Sequence, residues 1–190
     1  MRGTDLERVL EIAEGLREAP HWTAGAYHAA MDVGSVPQRV ALVAECDSGR
    51  DWESREISAE TSPQGLKPNR VPQEFVGTAE AVPFQSEPIE RAGWVVVGFV
   101  VAAIVAGEAE LETIAVGEAE QRRGVGGRLL VSLVEELRDQ QVRTVNLEVR
   151  ASNRRAIGFY GTHGFKESGR RKRYYADPEE DAVLMRLALS

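Results

Sequence analysis

The sequence is short of several things, and each shortage removes a class of function. One cysteine, Cys46, stands in 190 residues. It leaves no internal disulfide and no thiolate cluster for a metal. The three histidines, His21, His28 and His163, are isolated and never spaced His-x-x-x-His, so no metal is expected. Cys46 has no histidine partner in a recognisable motif, which argues against a covalent cysteine step. No apolar run reaches the roughly 18 residues of a membrane span. Residues 95–106 come nearest, but they are few, contain Gly98 and are rich in valine, which favours a strand. The residues after Met1 carry no apolar signal core. The expectation is a soluble cytoplasmic protein with no membrane partner.

Positive charge is also scarce overall, with a net charge of −7. It is not scarce everywhere. Residues 121–175 hold 13 Lys/Arg against 5 Asp/Glu, and the remainder holds 10 against 25. An acidic chain is a poor general nucleic-acid binder, so no direct nucleic-acid partner is expected. The local excess would focus positive potential on an anionic ligand. Solvated helix faces and a basic loop account for part of it.

The basic block contains the run Gln121-Arg122-Arg123-Gly124-Val125-Gly126-Gly127-Arg128. An apolar strand pattern, 111–116, precedes it. A helix pattern follows, with Leu129, Leu130, Leu133, Val134 and Leu137 on one stripe. Free N–H groups and the helix dipole at such a turn suit a pyrophosphate. The third glycine of a dinucleotide fingerprint is missing, because Leu129 stands there, and so is the Gly-Lys-Ser/Thr of a nucleotide-hydrolysing loop. An ordinary glycine turn at a helix start remains the alternative.

At this length the chain fits one domain, taken as 1–190. Thr4 or Asp5 caps a first helix with Leu6, Val9, Leu10, Ala13 and Leu16 on its apolar stripe, and 24–31 forms a second. A strand is expected at 40–44. From about 47 to 92 no period persists, and five of the eight prolines fall there, so this reads as one long surface insertion. Residues 94–105 and 110–116 form a hairpin about Gly107-Glu108. Residues 144–150 alternate, with Val145, Leu147 and Val149 on one face and Asn146 and Glu148 on the other. Strand, helix and strand make a right-handed β-α-β unit with parallel strands. Ser152 or Asn153 caps a further helix that Gly164 ends. A hairpin turning at Asp177-Pro178 closes the chain.

Together, Ile114-Ala115-Val116, the Gln121–Gly126 turn, Leu147-Glu148-Val149-Arg150, Asn153 and Tyr160-x-x-x-Gly164-Phe165 resemble the GNAT N-acetyltransferases. Within that superfamily, the Leu-Glu-Val-Arg-x-Ser-Asn run, Arg173-Tyr174-Tyr175 and the ending near Glu180–Met185 are similar to the bacterial ribosomal-protein-alanine N-acetyltransferases. The resemblance covers 93–188 well and 4–46 weakly; residues 47–92 match nothing in it. It implies an α/β fold, a central mixed sheet splayed between two parallel strands with helices on both faces. It implies acetyl-CoA as cosubstrate. Backbone groups of Ile114, Ala115 and Val116 would hold the pantetheine arm. The amides of Arg122, Arg123, Gly124, Val125, Gly126 and Gly127 would hold the pyrophosphate, and Asn153 would touch the coenzyme. Glu148 would be the base and Tyr160, twelve residues on, the acid. The acceptor would be the N-terminal alanine of a ribosomal small-subunit protein.

Each role has a plainer counterpart. Glu148 could be a strand glutamate solvated or paired to an arginine, and Tyr160 a core aromatic. His163, near a helix C-terminus, suits a dipole contact better than a base. Arg170–Tyr175 either borders the acceptor or is a twisted hairpin with solvated charges. The chain departs from the family pattern at Thr113, Gly117 and Gly161-Thr162-His163, which bears on the acceptor more than the cosubstrate. Two other readings stand beside the first: acetylation of a small amine or antibiotic, and a non-catalytic acyl-CoA-binding module.

Overall fold

A computed structural model describes residues 3–16, 22–31, 36–47, 80–83 and 93–189. The elements are α1 (Gly3–Glu14), α2 (Ala24–Met31), β1 (Gln38–Asp47), β2 (Glu80–Pro83), β3 (Trp94–Val105), β4 (Glu108–Val116), α3 (Val125–Asp139), β5 (Thr144–Arg150), α4 (Arg154–Thr162), β6 (Lys166–Ala176) and β7 (Glu179–Ala188). The seven strands form one mixed sheet in the order β2-β1-β3-β4-β5-β7-β6. Only β4 and β5 run parallel; every other neighbouring pair is antiparallel.

Helices cover both faces, as the sequence implies. The stripe Leu129, Leu130, Leu133, Val134 and Leu137 of α3 is buried, and it packs with Val100 and Ala102 of β3 and Val145, Leu147 and Val149 of β5. On the other face, Leu6, Val9, Ile12 and Ala13 of α1 and Tyr27 and Ala30 of α2 cover Val43, Phe99, Val101 and Ala115. Strand β3 is therefore apolar on both sides, which explains its unbroken run of small and β-branched residues. At about 1.5–3 kcal/mol for each fully buried large aliphatic side chain, the α3 stripe alone is a major stabilising term.

Local chemistry explains the boundaries. The β3–β4 turn is the pair Ala106-Gly107, with φ of 52° and 80°, and two positive φ values match the twist of a two-residue hairpin. Helix α4 ends in a double cap: Phe165 N–H donates to Tyr160 O (3.1 Å) and Gly164 N–H to Gly161 O (3.1 Å), with Gly164 at φ 88°. Helix α3 ends the same way through Val142 to Leu137 (2.9 Å) and Gln141 to Arg138 (2.8 Å), although Gln141, at φ 61°, is no glycine.

Three expectations are corrected. Helix α1 already contains Thr4 and Asp5, so neither stands outside it as a cap. Ile12, missing from the expected stripe, is buried, whereas Leu10 and Leu16 are partly exposed. Within 47–92, residues 80–83 form a strand that pairs with β1 from Leu42 to Glu45. A four-residue edge strand is too short to show a period, so the sequence hid it. Residues 48–79 and 84–92, with Phe75, Val76 and Phe84, lie outside the described residues.

Candidate active site

Strands β4 and β5 pair only at their beginnings: Glu108 with Thr144, Ala109 with Val145 and Glu110 with Asn146. Beyond that point β4 continues along β3 to Val116, and β5 continues along β7 to Arg150. The two parallel strands diverge and open the sheet where the sequence implied a splay. A strand edge without a neighbour presents backbone donors and acceptors that need partners. Ile114 and Ala115 lie on that edge. Val116 ends it, and its carbonyl accepts from Gln121 Nε2 (3.1 Å).

The glycine turn sits at the end of β4. Gly117 N–H donates to Val97 O (2.8 Å), a short 3₁₀ turn spans Glu118–Glu120, and Arg122 and Gly124 take φ of 65° and 78°. Left-handed residues alternating with an ordinary one turn amides toward one side, the concave arrangement that holds anions. Arg128 N–H is the first to close a helical bond, to Gly124 O (3.1 Å). The amides of Val125, Gly126 and Gly127 precede it and have no intrahelical partner. A Cβ on Gly124 would meet nothing, whereas one on Gly127 would come within 3.1 Å of His163 Nε2. Arg123 pairs with Glu120 (3.0 Å), which offsets part of its charge. His163 is the C-cap of α4, and its Nδ1 bonds Phe159 O (2.8 Å), a helix-end contact as the sequence reading favoured.

Helix α4 is tied to this turn. Gln121 Oε1 accepts from Arg155 (3.1 Å). Asn153 is the N-cap, its Oδ1 accepting from Ala156 N–H (2.9 Å), which spends that oxygen on the helix. Tyr160 is 8% exposed and packs against Phe159 and Phe165 at centroid distances of 5.2 and 5.5 Å. Burial, followed by the neighbouring Tyr175, raises its pKa well above the ordinary value and keeps the phenol protonated.

Glu148 lies on the opposite face of β5 from Leu147 and Val149, whereas Tyr160 belongs to the core cluster that contains those two. Its side chain is 17% exposed, and Arg171 Nη1 stands 2.5 Å from its Oε1. The ion-paired reading of Glu148 is thus realised in the structure. The nearby Glu148 carboxylate is the main cause of the raised pKa of Tyr174. Tyr175 is raised by burial and then by the Glu148 charge.

The β6–β7 hairpin is latched to β5. Arg150 donates to Asp177 O (3.0 Å) and Pro178 O (3.2 Å), pairs with Glu180 (3.4 Å), and lies 4.2 Å from the centroid of the Tyr175 ring. Glu180 also accepts a very short bond from Ser152 N–H. That bond, with help from Arg150, holds the Glu180 carboxyl below the usual carboxylate range.

Sequence reasoning gave no separate role to Gly98 or Gln121, did not say which arginine pairs with Glu148, and missed the Arg150–Glu180 latch. Gly98 had a signal, because an isolated glycine in a strand marks a close approach. A Cβ there would lie 2.8 Å from Ala115 O and 3.2 Å from Leu129 Cδ1. The others depend on contacts more than 20 positions apart, or on a side-chain bond to a turn. Among the described residues, no three His, Cys, Asp or Glu gather as a metal site, and no helix is long and apolar enough to cross a membrane.

Comparison with known proteins agrees with this geometry. The sequence model of the acetyltransferase (GNAT) family matches residues 50–165, a range that includes much of the segment expected to match nothing. The [ribosomal protein bS18]-alanine N-acetyltransferase of Escherichia coli strain K12 is 45% identical over 94 residues, 48% of this chain and 64% of that protein. The chain thus spans somewhat under two thirds of that relative. The crystal structure of the ribosomal-protein-S18-alanine N-acetyltransferase from Escherichia coli superposes with a TM-score of 0.63 at 26% identity, covering all of this chain and 91% of the other. Ard1 from Thermoplasma volcanium gives 0.64 at 23% identity, over all of this chain and 95% of the other, and shares the fold.

Proposed function

Since the chain belongs to the acetyltransferase (GNAT) family, we propose that it moves the acetyl group of acetyl-CoA onto the N-terminal alanine of a ribosomal small-subunit protein. The observation that carries the reading is the opening between β4 and β5. It has an anion-binding turn at one end and a carboxylate, Glu148, on its edge. The name of the Escherichia coli relative supplies the acceptor class.

The residues fit the cosubstrate. The concave turn at 122–127, with an open Gly124 and unpaired first-turn amides, suits a diphosphate. The free edge at Ile114 and Ala115 suits the amides of a pantetheine arm laid as an added strand. Asn153, with its Oδ1 committed to the cap, keeps its amide nitrogen for the coenzyme. The cosubstrate supplies an activated thioester carbonyl.

The protein supplies placement and protons. An α-amino group has a pKa near ~8 and enters mostly charged. Glu148, directly or through a water, takes a proton from that nitrogen. The N–C bond forms as the C–S bond breaks, the nitrogen's second proton leaves to water, and Tyr160 donates a hydrogen bond to the departing thiolate. An ordinary thiol has a pKa near ~8.5, so complete transfer from a phenol raised by burial is uphill. Hydrogen-bond donation is therefore the larger part of the Tyr160 role. Holding amine and thioester together supplies much of the remaining rate.

The test is thiol release from acetyl-CoA with a peptide starting in alanine, beside spermidine. Release with the peptide, and product mass showing one acetyl on its α-nitrogen, is expected. Release with spermidine alone would replace the acceptor class. Coenzyme binding without release to either would reduce the protein to an acyl-CoA-binding module.

A further inference from the structure

Strand β6 carries a feature that neither the cosubstrate turn nor the two proton-handling residues use. Its pairing with β7 jumps from Arg171 opposite Ala182 to Tyr175 opposite Glu180. Three residues of β6 therefore face one of β7, a bulge with two extra residues. The bulge is built rather than loose. Arg173 takes φ 53°, its N–H donates to Asp181 Oδ1 (2.9 Å), and its guanidinium pairs with Glu179 (2.7 Å). Ala182, opposite both Arg150 and Arg171 and fully buried, offers only a methyl group on the middle strand. The Arg171 side chain crosses β7 at that point and reaches Glu148 two strands away. Its guanidinium also lies 5.4 Å from the centroid of the Tyr174 ring.

A cation thus rests on the carboxylate that the proposed reaction needs for an ammonium. We propose that Arg171 is a resident cation of the acceptor site, which the N-terminal ammonium of the substrate displaces from Glu148. The proposal rests on the acceptor reading above and deepens it. Arg171 is a positioning residue: it holds the Glu148 side chain in place between turnovers and leaves when the acceptor arrives. Its 56% exposed side chain suits exchange, because a half-exposed pair is weak and the freed guanidinium returns to water at little cost. Tyr174, 48% exposed and stacked beside the Arg171 guanidinium, borders the same carboxylate and is left facing it when Arg171 leaves. Selection follows from the exchange. An acceptor must bring its own positive charge to replace the one it expels, so a peptide with a blocked N-terminus binds poorly.

Two measurements on the full chain test this. In steady-state kinetics with the alanine-starting peptide, R171Q removes the competitor. A pair of this exposure competes by roughly 2- to 5-fold, so the peptide KM should fall by about that factor, with the acetyl-CoA KM unchanged. R171K keeps a cation and should behave nearer the wild type. A peptide KM that rises or stays level in R171Q would overturn the proposal and leave Arg171 a structural residue.

The second measurement does not need turnover. The Arg171 Nε–H resonance is followed by NMR during titration with the same peptide, with its N-acetylated form, and with spermidine. Saturable movement with the free amine, and none with the acetylated peptide, is expected. Binding of the free peptide that leaves this resonance unmoved overturns the exchange. If the peptide neither reacts nor binds but spermidine moves the resonance, the peptide reading fails and the exchange stands. If no amine moves it, the exchange fails whatever the activity.

Discussion

At the scale of single residues, the site separates two jobs by environment. Glu148 keeps polar partners and partial contact with water, whereas Tyr160 is sealed in the α4 layer. The variants should therefore fail differently. Glu148→Gln keeps the shape and the Arg171 and Tyr174 contacts in part but removes the base. Turnover should fall by about 10²–10⁴-fold, the usual worth of a positioned base, with coenzyme binding by calorimetry unchanged. Turnover that persists with an unaltered pH profile would remove Glu148 from the mechanism. Tyr160→Phe loses only a hydroxyl from a packed ring, so folding and coenzyme affinity should hold while turnover falls by at least about tenfold. Glu180 allows a stability prediction. Its folded carboxyl lies below the ordinary 4.5 because Ser152 N–H and Arg150 favour the charged form. A depressed carboxyl contributes stability above its unfolded pKa and loses it as pH falls through the folded one. Thermal melts should show Glu180→Gln less stable than the wild type at pH 6–7. The gap should close below about pH 4 as the wild type protonates.

At the scale of elements, the legible parts were those whose signal is local. The α3 stripe, the alternation of β5 and the αL glycine after α4 repeat within a few residues, so the sequence displays them directly. The β2 edge strand, the place of β7 between β5 and β6, and the bulge that delivers Arg171 are decided by pairing at a distance. Their residues look like a proline-rich loop and a basic hairpin until the partner strand is known. Gly98 stands between these cases. It is visible as a lone glycine in an apolar strand, but its partner, Ala115 O on β4, is not. Gly98→Ala would force β3 and β4 apart where β4 borders the opening. Overpacking of this kind costs about 1–3 kcal/mol, which lowers Tm by about 2–12 °C in a chain of this size. Coenzyme affinity should fall with it. Leu133→Ala, on the fully buried stripe of α3, should cost about 2–5 kcal/mol in urea unfolding without selectively weakening the coenzyme, because it lies away from the turn. Equal effects of both variants on coenzyme affinity would deny Gly98 its special position.

At the scale of the whole molecule, charge and topology point the same way. The acidic remainder of the sequence supplies β1, β3, β4 and the helices of one face, while the basic block from 121 to 175 supplies the turn, α3, β5, α4 and β6. Folding therefore gathers positive potential around the opening in a protein whose net charge is −7. An anionic coenzyme approaching such a surface is drawn by a field that salt screens over about 10 Å at 0.1 M and about 3 Å at 1 M. The contacts at the turn itself are shorter than either length and survive screening. Two contributions should thus separate in one titration series. Calorimetry with coenzyme A from 50 mM to 500 mM KCl should show the Kd rising several-fold and then levelling, the plateau reporting the amides of 122–127. Arg122→Gln, which removes a charge from the turn, should lower the affinity at low salt and flatten the dependence. A Kd insensitive to salt would mean that the amide turn holds the diphosphate without help from the basic block, and the charge asymmetry would then belong to the acceptor side.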